Sequence, residues 1–137
     1  MIDGACLCGA VRLRADPVME RFSACHCGSC TRWTGGVQFG FGSKADTTMV
    51  EGPVRTYRSS PFGERAWCDR CGSALWFRED GKDYEFVPGL FPATHDWPVN
   101  NENYVDTGWP AMRLAGEHKL VSKAEYEARA PHVEDAP

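Results

Sequence analysis

The sequence predicts a small, mainly β domain that closes on a short C-terminal helix. Three observations carry that expectation. Short stretches alternate apolar and polar residues, with Gly, Pro, Asn and Asp clusters between them, which is the pattern of strands and turns. No heptad, internal repeat or low-complexity tract competes with it. Near the end, Ser122-Lys123-Ala124-Glu125 has the spacing of a capping box, and Pro131 stops whatever helix begins there.

Val11, Leu13 and Ala15 alternate with Arg12, Arg14 and Asp16, which predicts a half-buried strand broken at Pro17. Met19 to Ala24 is a weaker strand candidate that leads into Cys25-His26-Cys27-Gly28-Ser29-Cys30. Thr31-Arg32-Trp33-Thr34 suits a helical turn ended by Gly35-Gly36, and Val37 to Phe41 alternates again. Met49-Val50 is a short strand before the Gly52-Pro53 turn, with Val54 to Tyr57 and Glu64 to Trp67 as further strands. Ala74 to Phe77 and Asp83 to Val87 form a hairpin whose turn signal is Asp80-Gly81. Residues 88–101, rich in Pro, Asn and Asp, read as loop. Tyr104-Val105 and Met112-Arg113-Leu114 read as short strands, and a helix runs from Ser122 to about Ala130. The expected division is one domain over residues 1–120, then a C-terminal helix and frayed tail over 121–137.

The 137 residues, with 42% hydrophobic and 25% charged content, suit one soluble domain. A net charge of −4 leaves no overall basic footprint for nucleic acid. No apolar run reaches the roughly 18 residues of a membrane span, and no secretory signal is visible at the N-terminus. Seven cysteines are an odd number, so they cannot all pair as disulfides. Their CxC and CxxC spacings in a reducing compartment read as metal sites, and a cytoplasmic location is expected.

All seven thiols fall in three clusters: Cys6 and Cys8; Cys25, Cys27 and Cys30; and Cys68 and Cys71. Ordinary buried cysteines would account for one or two of them, not for three clusters. Iron–sulfur runs use other spacings, so zinc is the expected metal. Two partitions are open. Cys6, Cys8, Cys68 and Cys71 can close one site and leave Cys25, Cys27 and Cys30 as an open one. Alternatively, Cys27, Cys30, Cys68 and Cys71 can form a ribbon-type site and leave Cys6, Cys8 and Cys25. The first is favoured, because three ligands from one short turn form a compact site by themselves. Three protein ligands leave the metal a fourth position, the mark of a catalytic zinc.

The chain resembles the glutathione-dependent formaldehyde-activating enzyme family, whose fold is also that of centromere protein V. The resemblance rests on Cys6-Leu7-Cys8-Gly9-Ala10-Val11, on Cys25 to Cys30, on Tyr57 with Ser59-Ser60, and on Arg65 to Leu75 around Cys68-Asp69-Arg70-Cys71. It covers about the first 90 residues. It implies a β-tent of small antiparallel sheets stapled by zinc. It also implies a structural zinc on Cys6, Cys8, Cys68 and Cys71 and a catalytic zinc on Cys25, Cys27 and Cys30. The chain departs from the family pattern at Trp67, at Gly36 and at Glu102-Asn103-Tyr104-Val105, which stands where relatives carry His-Ile-aromatic-Val.

The implied activity is that of a carbon–sulfur lyase joining glutathione and formaldehyde as S-hydroxymethylglutathione. The expected partners are a small thiol and a small aldehyde, with neither nucleic acid nor membrane, and with self-association left open. Arg32 and Trp33 are candidates to meet glutathione's carboxylates and apolar parts. His26 is expected to point away from the sulfurs that flank it, and His95, His118 and His132 to face solvent. The alternative from another class is a zinc-stabilised binding module without turnover.

Overall fold

The computed structural model describes residues 1–133; the end of the expected tail, residues 134–137, lies outside the described residues. In chain order the elements are β1 (Ile2–Ala5), β2 (Arg12–Ala15), β3 (Phe22–Cys25), α1 (Gly28–Thr34), β4 (Gln38–Ser43), β5 (Met49–Glu51), β6 (Val54–Ser60), β7 (Gly63–Cys68), β8 (Ala74–Glu79), β9 (Tyr84–Phe86), β10 (Val99–Asn103), β11 (Lys119–Val121) and α2 (Lys123–Arg129). Single 3₁₀ turns occupy Pro88–Leu90, Pro92–Thr94 and Pro110–Met112, each opened by a proline whose missing N–H costs nothing there. The fold is mainly β with small antiparallel sheets and a short C-terminal helix, as the sequence predicts.

The chain divides into two compact units: Met1–Arg21 with Gly40–Trp97, and Phe22–Phe39 with the chain from Pro98 onward. In the first unit, β1, β2 and β5 form one antiparallel sheet, with Gly4 opposite Leu13 and Leu13 opposite Val50. β2 alternates exposed arginines with the buried Leu13 and Ala15, the period of two read from the sequence. Strands β9, β8, β7 and β6 form an antiparallel meander, and Phe41 to Ser43 of β4 pair with β9. Gly81 takes φ +70° in the β8–β9 turn, as the Asp80-Gly81 signal requires. The core of this unit is aromatic. The rings of Phe41, Phe86 and Phe91 are buried and meet one another at 5.2–6.1 Å, and Trp97 stands edge-on to Phe41 at 5.3 Å.

In the second unit β10 lies between β3 and β11 and runs parallel to both. Residues 99–101 are therefore strand where the sequence suggested loop, and the strand ends at Asn103 rather than continuing through Tyr104-Val105. The run Val-Asn-Asn-Glu-Asn has little intrinsic β preference, so pairing on both edges is what makes it extended. Tyr104 takes φ +57°, the only described non-glycine residue with positive φ, and turns the chain out of the sheet. Its buried ring packs on Tyr126 of α2, and its hydroxyl donates to Glu127 at 3.2 Å. α2 begins with the predicted capping box: the Ser122 hydroxyl accepts from the Glu125 N–H at 3.2 Å, and the Glu125 carboxylate accepts from the Ser122 N–H at 2.9 Å. Met112 closes a 3₁₀ turn, not a strand.

Candidate metal centres

All seven cysteines are free thiols. Cys6, Cys8, Cys68 and Cys71 converge in the first unit, with their sulfurs within 4.8 Å of one another. Two matching turns deliver them. In the first, the Cys6 N–H donates to the Val11 carbonyl at 3.1 Å and the Gly9 N–H to the Cys6 carbonyl at 3.0 Å. In the second, the Cys68 N–H donates to the Ser73 carbonyl at 3.0 Å and the Gly72 N–H to the Cys68 carbonyl at 2.9 Å. Gly9 and Gly72 take φ +73° and +74°, the left-handed conformation that lets each turn reverse within one residue.

The donor set fits zinc. A tetrahedral ion with bonds of about 2.3 Å requires sulfurs roughly 3.8 Å apart; Cys6 and Cys8 stand 3.6 Å apart, and Cys8 and Cys68 3.9 Å. Hydrogen bonds from the Ser73 hydroxyl and N–H, then from the Cys8 N–H, hold the Cys71 thiol down at about 5 against the effect of burial. The Ala10 N–H pulls Cys8 down too, but burial and the neighbouring sulfurs outweigh it and push that thiol to about 11. Four sulfurs this close cannot all carry charge without a cation between them.

Ser73 ties the two turns together. Its hydroxyl accepts from the Leu7 N–H at 3.0 Å and lies 3.2 Å from the Cys71 sulfur. Replacing Ser73 with alanine leaves the Leu7 N–H to water and removes a hydrogen bond to the Cys71 sulfur. A loss of about 1 kcal/mol in stability and a roughly tenfold weaker metal at this cluster are expected. Thermal melting and chelator competition measure both; unchanged values for both would refute the bridging role.

Cys25, Cys27 and Cys30 form the second cluster, again with sulfurs within 4.8 Å. Cys25 ends β3, and Cys27 caps α1, accepting from the Cys30 N–H through its sulfur at 3.4 Å. α1 starts at Gly28, three residues before the predicted helical turn, because that cap satisfies one of its first N–H groups, that of Cys30. It ends at Gly35 with φ +82°. The Cys25 thiol is pushed well above its ordinary range by the Cys27 and Cys30 sulfurs and then by burial. This donor set also suits a cation, with three protein ligands instead of four. The structure thus brings together the favoured partition of the cysteines. Arg32 is exposed and Trp33 half-buried on α1.

His26 is buried and lies outside both sulfur clusters. Its Nε2 is 2.6 Å from Glu102 Oε2, and His118 Nε2 is 2.8 Å from Glu102 Oε1. The Leu114 N–H also donates to Glu102, at 3.4 Å, and Arg113 Nε lies 3.6 Å away. Burial pushes the Glu102 carboxyl up, but the hydrogen bonds from His118, His26 and Leu114 outweigh it, and the net position is below the ordinary value. An ionised carboxylate only accepts, so each imidazole presents an Nε2–H to it. The expectation that His118 faces solvent is corrected here: its side chain is 3% exposed, held inward by Glu102. His95 is exposed, with Nδ1 2.8 Å from Asp96, and His132 is also exposed. The sequence reading assigns Glu102, Arg113 and Ser73 no functional role, although Glu102 stands in its departure from the family pattern. The available signal for Glu102 was a lone charge in an otherwise uncharged stretch, Val99 to Val105, at the place where relatives carry histidine.

A mainly β chain with one four-thiol and one three-thiol cluster defines a class of compact thiolate proteins. The chain belongs to the glutathione-dependent formaldehyde-activating enzyme family, whose profile matches residues 1–106. It is 34% identical over 87 residues to an uncharacterised lyase of Schizosaccharomyces pombe, covering 62% of this chain and 64% of that protein. It is 40% identical over 87 residues to a provisionally named glutathione-dependent formaldehyde-activating enzyme of Halomonas elongata, covering 56% and 55%. The match therefore spans less than two thirds of either relative's length. A crystal structure of a Rhodobacter sphaeroides protein shares the fold with a TM-score of 0.59 at 15% identity, over 72% of this chain and all of that one. Among the described residues, no helix is long and apolar enough to cross a membrane.

Proposed function

We propose that this chain catalyses carbon–sulfur bond formation and cleavage between a small thiol, glutathione by family, and a small aldehyde such as formaldehyde. The observation that carries the reading is the three-sulfur cluster of Cys25, Cys27 and Cys30, whose donor number leaves one position for an exogenous ligand. Cys25, Cys27 and Cys30 would hold a zinc ion whose charge would favour the deprotonated form of an incoming thiol, while their three thiolates would leave it little Lewis acidity for a carbonyl. Cys27 holds its place by capping α1, and Cys25 by ending β3. In the forward direction the thiol gives up its proton to water, the sulfur–carbon bond forms as the carbonyl π bond breaks, and the aldehyde oxygen takes one proton back from water to become a hydroxyl. No oxidant or reductant enters.

Arg32 is exposed on α1 and is assigned to a carboxylate of the thiol, with Trp33 against its apolar part. Cys6, Cys8, Cys68 and Cys71 are assigned to a structural zinc. The lyase name of the yeast relative and the activity name of the bacterial one support this reading. Free thiols in this number suit a reducing compartment such as the cytoplasm.

Cobalt substitution tests it. Reduced protein should bind two metals per chain, and adding glutathione should change the absorption of one of them. One metal per chain with no response to glutathione would overturn the enzymatic reading and leave a zinc-stabilised binding module.

A further inference from the structure

We propose that Glu102 is a positioning residue for the three-thiol cluster, acting through His26; the proposal rests on the reading of that cluster as a metal site. The second unit places β10 directly against β3, with Asn103 opposite Cys25. The His26 N–H donates to the Asn103 carbonyl at 3.0 Å, so the backbone of the cysteine turn is already registered on β10. Glu102, one residue earlier, then takes the His26 side chain at 2.6 Å. Both side chains are fully buried. His26 sits between Cys25 and Cys27, so an imidazole fixed at its ring and at its backbone fixes the direction from which both sulfurs leave the turn.

The carboxylate is itself fixed. His118 holds its other oxygen at 2.8 Å, and the Leu114 N–H reaches the oxygen that His26 uses, at 3.4 Å. The far edge of the His26 ring is closed by Gly108: a Cβ there would lie 2.6 Å from both Cγ and Nδ1, so the glycine backbone rests on the imidazole. His26 Nδ1 is buried without a hydrogen-bond partner. The ring is thus clamped between a charge on one side and a peptide on the other. Buried ionic groups seldom increase net stability over apolar side chains of the same shape. An arrangement that buries a carboxylate and leaves an imidazole nitrogen unsatisfied, on the residue between Cys25 and Cys27, is better explained by orientation than by stability. Groups that orient metal ligands from behind typically change metal affinity by about 10- to 100-fold when removed.

The test compares wild type with Glu102→Gln, which keeps the side-chain shape but cannot accept from both imidazoles. Zinc is competed against a chromophoric chelator, and cobalt spectra are recorded at saturation. Glu102→Gln should keep one metal at wild-type affinity and bind the second about 10- to 100-fold more weakly, with an altered cobalt spectrum for that metal even when saturated. A purely structural role would lower the melting temperature of the chain holding metal at the four-thiol cluster and leave the saturated spectrum unchanged; that result, or equal affinity for the second metal, would overturn the proposal. Should Glu102→Gln fail to fold, His118→Phe replaces it, removing one donor to the carboxylate while leaving His26 in place. A several-fold loss confined to the second metal is then expected, and no loss would overturn the proposal. Wild type binding a single metal would overturn this inference together with the proposed function, whereas two metals bound equally well by wild type and variant would overturn the positioning role alone.

Discussion

Cys68→Ser is expected to abolish the folded state of the first unit. Cys68 is fully buried at the end of β7, and its sulfur stands 3.9 Å from that of Cys8. It holds the Cys68–Ser73 turn against the Cys6–Val11 turn, so one substitution releases both. Structural zinc bound by four thiolates contributes on the order of 10 kcal/mol to folding, as much as the entire stability of about 5–15 kcal/mol of a typical domain. A serine hydroxyl is a poor substitute for a thiolate toward zinc and leaves a buried polar oxygen behind. The variant should lose its cooperative thermal transition and retain at most one metal. Strong chelation of the wild type should produce the same loss. Cys27→Ser, by contrast, should keep the transition and the first metal while losing the second. A Cys68→Ser chain that melts like wild type with two metals bound would show that the four-thiol cluster does not staple the fold.

Gly52→Ala should have the next largest effect, through sterics alone. Gly52 takes φ +109°, a backbone conformation that an L side chain rarely adopts. An added Cβ would lie 2.2 Å from the Ala10 carbonyl oxygen and 3.0 Å from its carbon. Both obstacles are backbone, so no rotamer change relieves them. Ala10 lies inside the Cys6–Val11 turn, and displacing it also displaces the Cys6 and Cys8 thiols. Strain and clash together should cost about 3–5 kcal/mol, which is a melting temperature roughly 10–17 °C lower for a chain of this size. Faster metal loss to a chelator should accompany it. A shift of under about 2 °C would mean that the β5–β6 turn can move away from Ala10 freely.

The sequence made local chemistry legible and non-local chemistry much less so. Cys6-Leu7-Cys8 and Cys68-Asp69-Arg70-Cys71 announce themselves because their ligands are close in sequence, and the glycines after them mark the turns that metal binding needs. The β8–β9 hairpin and the α2 capping box were readable for the same reason: Asp80-Gly81 and Ser122-Glu125 each act within a few residues. β10 was hidden, because Val99 to Asn103 lacks apolar alternation and has no β-branched residue after Val99, and its conformation is set by partners far along the chain. His118 was misjudged on the same account. A histidine in polar sequence looks solvated until the fold sets a buried carboxylate 2.8 Å from it.

The second unit is built from two stretches of chain that residues 40–97 separate. During synthesis from the N-terminus, the cysteine turn leaves the ribosome well before β10 and β11 exist. Until they do, β3 lacks its partner on that edge, and His26 has neither Glu102 to orient it nor Gly108 to cover it. Closing so long a loop is entropically expensive, though each further doubling of length adds only about 0.6 kcal/mol. The ligands of the first cluster are all made by residue 71, whereas Glu102, Gly108 and His118 arrive afterwards. Assembly is therefore ordered by the sequence itself: the four-thiol staple can close while the nascent chain is still growing, and the three-thiol cluster acquires its supports only when the last strands have emerged.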